Sequence, residues 1–288
     1  MSESADVSAL TTGLAEVRRQ LAGEVKSRQA LIKPLDQAQR ALKDAHKNAV
    51  ALHEASALLE QPAEELSLPD NYNKLVKAVR TIADENLAEL EFTFARDLRE
   101  AFDAIGIKLD GPPDTLIAEL FLIRPDLRKK QVTMTFSRQP VTKGAVKLDV
   151  EKVVSEYQKA RKDICERKVD HKELLAELFQ SYERVVKLED KQMGARTGIV
   201  DVFRELVIVR QPLGFRRDPN KGRFVDYPKT HFAYDMLQLR QSKKLDYNGY
   251  RLNLGTATID TTSDSTKAMF LATGANEGAF IKDLYFSK

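Results

Sequence analysis

The chain has 288 residues, of which 42% are apolar and 31% charged, with a formal net charge of +3. That length admits two domains or one elongated one, and so high a charge fraction points to long exposed helices rather than a compact sphere. The single cysteine, Cys165, excludes an internal disulfide framework and a cysteine-based zinc site. No apolar run approaches the roughly 18 residues of a membrane span, and "MSESADVSALTTG" lacks the basic-then-apolar order of a signal peptide. The expectation is a soluble, cytoplasmic protein.

The first element, residues 1–60, carries a seven-residue repeat. One track runs Leu14, Leu21, Arg28, Leu35, Leu42, Ala49, Ser56, and the other Leu10, Val17, Glu24, Leu31, Ala38, Ala45, Leu52, Leu59. Apolar a/d positions that hold phase this long predict a coiled-coil helix, reaching roughly 75 Å over fifty residues. Pro34 lies inside the run. Because the phase survives it, one helix kinked at Pro34 is expected rather than two.

Residues 61–147 form a second region. Pro62 and Pro69 end the first arm, and the stretch from Asn71 to Gly106 repeats apolar residues at helical spacing up to a plausible stop at that glycine. The segments "TLIAELFLIRP" and "QVTMTFSR" follow as strands, with Val132, Met134 and Phe136 alternating with polar neighbours. This predicts a small α/β cap of helices on an antiparallel sheet. The carboxylates Glu85, Glu89, Glu91, Asp97, Glu100 and Asp103 have no histidine among them and read as a solvated helix face.

Residues 148–192 contain neither proline nor glycine and carry a second apolar stripe, including Val153, Tyr157, Ala160, Ile164, Leu174, Leu178 and Val185. They predict a second long helix whose seam is interrupted by the polar pair Arg167 and His171. Two antiparallel arms of one hairpin would bury both stripes. Pairing of each helix with its copy in a homodimer would bury them equally well.

The last region, 193–288, holds most of the glycine. It reads as a helix from Ile199, a loop, a helix from about Pro228, and strands "GYRLNLG", "AMFLATG" and "AFIKDLYF" parted by Gly249, Gly255, Gly274 and Gly278. The order resembles a winged helix, except that roughly fifteen residues part helices that such units join by three or four. Either a further short helix lies in that loop, or the domain is another α+β fold. In the second helix Phe232, Ala233, Met236, Leu237 and Leu239 are expected to be buried, and Lys229, His231, Asp235, Gln238 and Arg240 to face away. The fold class expected for the whole chain is mainly α with α+β parts.

Charge is concentrated here. Between Arg204 and Arg251 eleven Lys or Arg face five acids, a surplus of +6 in a chain of +3. That is the electrostatic footprint of phosphate contacts. Candidate nucleic-acid-binding residues are Arg210, Arg216, Arg217, Lys221, Arg223, Lys229, His231, Arg240, Lys243, Lys244 and Arg251. The rings Phe215, Phe224, Tyr227, Phe232 and Tyr234 read as anchors for core and loop rather than stacking platforms. Cys165, beside Ile164, reads as a small core residue.

No phosphate-binding glycine loop, dinucleotide fingerprint or HExxH zinc motif occurs, and the four histidines are scattered. No catalytic residue, metal or cofactor is assigned. The leading expectation is a non-enzymatic protein that binds duplex DNA or docks in a DNA-acting complex, with coiled-coil arms as spacer and self-association device. The alternative is a scaffold whose basic loop binds an acidic protein partner, and a third reading is a metal-dependent enzyme with dispersed acids.

Overall fold

The computed structural model describes residues 3–62, 66, 68–262 and 264–288. The side chains of 3–10, 20 and 21, among them the heptad positions Leu10 and Leu21, lie outside the described residues, as does Ser263 of the polar loop near Thr262. The chain is a mixed α plus β protein, with two antiparallel sheets among the described residues. It divides into two compact units, Met1–Arg96 and Asp97–Lys288.

The first unit is helical. Helix α1 (Glu3–Ala41) passes through Pro34 without interruption. It ends instead in a 3-10 turn, Leu42–Asp44, where Asp44 accepts the Lys47 amide on Oδ1 (3.1 Å) and the Asn48 side-chain amide on its carbonyl (2.9 Å). Helix α2 (Ala49–Leu59) then runs back along α1. Gln37 Nε2 donates to the Ala51 carbonyl at 3.2 Å, whereas fourteen residues of straight helix would part those residues by about 21 Å. The single kinked arm expected for residues 1–60 is therefore a helical hairpin. Its two halves bury one heptad track on each other, Leu31 and Ala38 against Leu52 and Leu59, with Ala41 and Ala55 from off the tracks filling in, while Leu35 and Leu42 of the other track stay exposed. The start of α3 (Tyr72–Asp103) completes this core with Tyr72, Val76 and Ala83, and the Tyr72 hydroxyl donates to the Leu59 carbonyl (2.9 Å).

The second unit begins within α3, which ends ahead of Gly106, a residue at φ 75° that only glycine adopts freely. A sheet follows with strands β1 (Leu109–Asp110), β2 (Leu116–Ala118), β3 (Phe121–Asp126), β4 (Gln131–Phe136), β5 (Gln139–Pro140) and β6 (Val146–Lys147), ordered β1-β2-β3-β4-β5 with β6 on β4. Val132, Met134 and Phe136 are all buried, as their alternation requires. Helix α4 (Val150–Cys165) lays Tyr157 against this face, with ring centroids 4.8 Å from Phe102 and 5.4 Å from Phe121.

The second long helix is also broken. After α4 the chain leaves helical geometry at 166–170 and restarts as α5 (His171–Leu188). Asp170 is the cause: its carboxylate accepts the amides of Lys172 (2.9 Å) and Glu173 (3.0 Å), an N-cap that competes with continuation of α4.

The remainder is β7 (Thr197–Gly198), α6 (Ile199–Val209), α7 (Leu213–Arg217), α8 (Lys229–Ser242), β8 (Asp246–Tyr247), β9 (Tyr250–Thr256), α9 (Ile259–Thr262), β10 (Met269–Ala272) and β11 (Gly278–Ser287). The loop between α6 and α8 thus holds a short helix, α7, and a 3-10 turn at Lys221–Arg223. The second sheet is ordered β10-β11-β9-β8, with β7 also on β11. Phe286 on β11 meets Phe179 (5.1 Å) and Tyr182 (5.4 Å) of α5, joining sheet to helices in one core. Among the described residues no helix is long and apolar enough to cross a membrane.

Candidate functional site: the basic loop and its anchor

The loop between α6 and α8 is fixed at several points. Gln211, 3% exposed, sits just past α6. Its Nε2 donates to the carbonyls of Val207 (2.8 Å) and Val225 (2.9 Å), and its Oε1 accepts the Val225 amide (2.9 Å). One buried side chain thus ties both ends of the loop. Across the loop Phe215 and Phe224 meet edge to face at 5.5 Å. Arg216 Nη2 donates back to the Val209 carbonyl, and Arg223 Nη1 to the Gly214 carbonyl (3.3 Å). Asn220 Oδ1 accepts the Gly222 amide (3.1 Å) and starts the 3-10 turn.

On this frame Arg216, Arg217, Lys221 and Arg223 are all exposed. Arg223 pairs with Asp218 at 3.0 Å. Arg217 and Lys221 have no carboxylate partner among the described residues. They are the two freest cations of the loop.

The other candidate residues are dispersed. Lys243, in left-handed geometry at the C-cap of α8, and Lys244 are exposed. Arg251 is exposed on β9 but paired with Asp246 at 3.1 Å. Lys229 is half-buried, with Nζ donating to the Ser265 carbonyl at 3.5 Å, and Arg240 is half-buried as well. His231 Nε2 lies 3.0 Å from Asp163 Oδ2 on α4.

Between Lys229 and Arg240 helix α8 has no fully exposed residue: Lys229, His231, Gln238 and Arg240 are half-buried, and Asp235, expected to face away with them, is buried instead. Asp235 is only 1% exposed. The helix is enclosed by other elements. Tyr234 meets Phe136 of β4 (6.4 Å) and donates its hydroxyl to the Cys165 carbonyl at the end of α4 (2.9 Å).

Arg210 belongs to a buried ion cluster centred on Asp235. Its Nε donates to Glu177 Oε2 of α5 (2.7 Å), its Nη1 lies 3.4 Å from Asp235 Oδ2, and its guanidinium stacks 4.0 Å from the Tyr227 ring centroid. Tyr227 donates its hydroxyl to Asp235 Oδ2 (2.7 Å), and Arg167 Nη2 donates to Asp235 Oδ1 (2.5 Å). Burial, and then the Asp235 charge, push the Tyr227 hydroxyl well above its ordinary pKa. Burial works against the charge on Arg210, but Tyr227, Glu177 and Asp235 outweigh it and hold the guanidinium above its ordinary value. A cleft of about 450 Å³ opens on this cluster, lined in part by Arg167, Asp170, Glu177, Arg210, Tyr227 and Asp235.

Chemically the cluster is an anchor. Tyr227 ends the basic loop, and its hydroxyl ties that end to α8, α5 and the α4–α5 break through Asp235. Nothing in the sequence marks Asp235, Glu177 and Tyr227 as one constellation. The visible trace was Arg167, a charge in an otherwise apolar seam. Among the described residues no group of three His, Cys, Asp or Glu is placed to hold a metal ion. No protein-family model, curated protein or solved structure matches the chain.

Proposed function

We propose that the protein is a non-enzymatic DNA-binding or DNA-complex accessory protein that contacts duplex DNA through the loop 212–226. The observation that carries this reading is the pre-ordered loop. Four exposed cations, Arg216, Arg217, Lys221 and Arg223, stand on a backbone already fixed by Gln211 and the Phe215–Phe224 contact. A loop ordered before binding loses less entropy on contact, so more of the electrostatic gain is left for affinity. We read the module as winged-helix-like, on the order α5, β7, α6, α8, β9, β11 with β11 between β7 and β9. Because α8 is enclosed, its side chains are not free to read base edges. Contact falls on phosphates, which position a protein on DNA without specifying sequence.

Self-association belongs to the same proposal. Leu14 (71% exposed), Val17, Val25, Ile32 and Leu35 leave an apolar stripe open on α1, and a second copy would cover it as a coiled coil.

The test is a mobility shift on duplexes of unrelated sequence at several salt concentrations. Wild type should bind them alike, with a log–log salt slope of about −2 to −4 for two to four neutralised phosphates. Arg217→Ala with Lys221→Ala removes two cations without touching the internal bonds of the loop and should flatten that slope by about 2. No shift at low salt ends the DNA reading. The acidic-protein reading is favoured by one observation, the exposed apolar residues Leu213 (67%) and Val225 (56%) beside the cations. On that reading, affinity capture returns a stoichiometric acidic protein that survives nuclease treatment and is lost in the same double variant.

A further inference from the structure

A second, smaller pocket lies elsewhere in the 97–288 unit, where the outer face of the first sheet meets β10 and the turn after it. It measures about 360 Å³, and its lining includes Arg124, Thr135, Ser137, Arg138, Phe270 and Asn276. No carboxylate lines it. In a chain with 43 Asp and Glu against 46 Lys and Arg, a pocket with two arginines and no acid is unusual in its chemistry.

Both arginines are placed by the fold rather than by counter-charges. Arg124 sits on β3 two residues beyond Leu122, and Leu122 is opposite Thr135 on β4, so Arg124 and Thr135 project from the same face of the sheet. Arg138 stacks on two rings, with Cζ 4.4 Å from the Phe270 centroid and 4.8 Å from that of Phe280. Those rings are themselves in edge contact at 5.3 Å. Stacking of this kind fixes the plane of a guanidinium and leaves its N–H edges for a ligand. Neither guanidinium has a carboxylate partner among the described residues.

The wall that holds Arg138 is under backbone strain. Ser137 and Arg138 form the turn between β4 and β5, with φ of 50° and 60°. Two successive left-handed residues make the turn that two-residue hairpins favour, but glycine or asparagine usually occupies it. Here the Ser137 hydroxyl offsets the strain by donating to the Phe270 carbonyl (2.7 Å) and accepting the Ala272 amide (3.2 Å). Non-glycine residues held this way cluster at ligand sites. Ser137 is thereby committed to the wall, while the Thr135 hydroxyl and Asn276 amide have no side-chain hydrogen-bond partner among the described residues.

We infer that this pocket binds a phosphoryl group carried by a small molecule. Two guanidinium forks suit tetrahedral oxyanions, which accept paired N–H donors, and one hydroxyl and one amide add neutral donors. The volume lies within the range of small-ligand pockets, roughly 300–1,000 Å³, so there is room for an organic carrier. The site is independent of the DNA reading, because it shares no residue with the loop 212–226.

The experiment is titration calorimetry at low salt with two probes, pyrophosphate and ATP. Wild type binds at least one of them, and Arg124→Ala and Arg138→Ala each weaken that binding about tenfold, the worth of one charge-assisted contact. Arg124→Ala carries the decision on folding, since its exposed side chain makes no internal pair and its melting temperature should equal that of wild type. Arg138→Lys keeps the charge but loses the flat fork, and should fall between wild type and Arg138→Ala. Arg217→Ala with Lys221→Ala should bind both probes as wild type does. The proposal is overturned if wild type binds neither probe, if Arg124→Ala and Arg138→Ala bind like wild type, or if the Arg217/Lys221 variant loses the binding instead.

Discussion

Asp235→Ala is the sharpest perturbation of the second unit. The carboxylate is almost wholly enclosed and accepts from three donors: Arg167 Nη2 (2.5 Å), Tyr227 Oη (2.7 Å) and Arg210 Nη1 (3.4 Å). Its removal leaves the buried Tyr227 hydroxyl without an acceptor, which costs about 1–3 kcal/mol. Two guanidiniums also lose their shared counter-charge. Breaking a fully buried pair costs about 3–5 kcal/mol, but the side chains of Arg167 and Arg210 keep 27% and 22% of their exposure, and Arg210 retains Glu177. Water and Glu177 therefore take up part of the loss, and the net expectation is about 3 kcal/mol. For a unit of this size that lowers the melting temperature by roughly 6–12 °C. Asp235→Asn keeps the shape and one acceptor for Tyr227, and should cost about half as much. The chain has no tryptophan, so urea unfolding is best followed by circular dichroism and tyrosine fluorescence. A loss below about 1 kcal/mol for Asp235→Ala would show that the three donors find other partners, and the anchoring role of the cluster would fall with it.

Three further outcomes can be measured. Burial, with Glu119 adding to it, pushes the Cys165 thiol up to about 11, so alkylation at pH 8 should run on the order of 10²-fold slower in the folded than in the urea-unfolded protein. The Arg161 hydrogen bond holds the Glu119 carboxyl below its ordinary range against the opposing effect of burial, with the Tyr157 hydroxyl helping. A lowered folded pKa stabilises above the unfolded value and loses that contribution as pH falls through the folded one. Glu119→Gln should therefore cost about 1 kcal/mol at pH 7, a figure discounted for the partial exposure of both partners, and the gap from wild type should close in acid. Gln211→Ala removes three hydrogen bonds from a buried side chain; hydrogen exchange at the Val225 amide should speed up at least about tenfold, ahead of any change in α8.

Local pattern revealed much of the fold, and tertiary partners hid the rest. The alternation at Val132, Met134 and Phe136, the stop at Gly106 and the helix beginning after Pro228 all depend on the chain's own period and turn chemistry. The break after Ala41 does not, because a heptad stripe reads the same whether it meets another chain or folds back on itself. Only the Asp44–Asn48 turn and the Gln37–Ala51 bond decide it. The break at 166–170 was marked by Arg167 and His171 in the seam, but Asp170 could be recognised as a cap only once the helix had stopped. The basic surplus between Arg204 and Arg251 was countable, whereas the split between free and engaged cations was not. Arg210 and Arg217 look alike in sequence, yet one lies between Glu177, Asp235 and the Tyr227 ring, and the other stands in solvent.

The turn at Ser137 and Arg138 has one more effect. Strand β10 is the last strand of its sheet, and a bare sheet margin is a template on which another chain can add. The Ser137 hydroxyl occupies the Phe270 carbonyl and the Ala272 amide, two of the groups an incoming strand would need. A serine 133 residues away from Phe270 thus acts as a stopper on that margin. Ser137→Ala would leave the buried Phe270 carbonyl and Ala272 amide unpaired, at about 1–3 kcal/mol, and the uncorked β10 should show itself as slow, concentration-dependent aggregation alongside a modest fall in melting temperature.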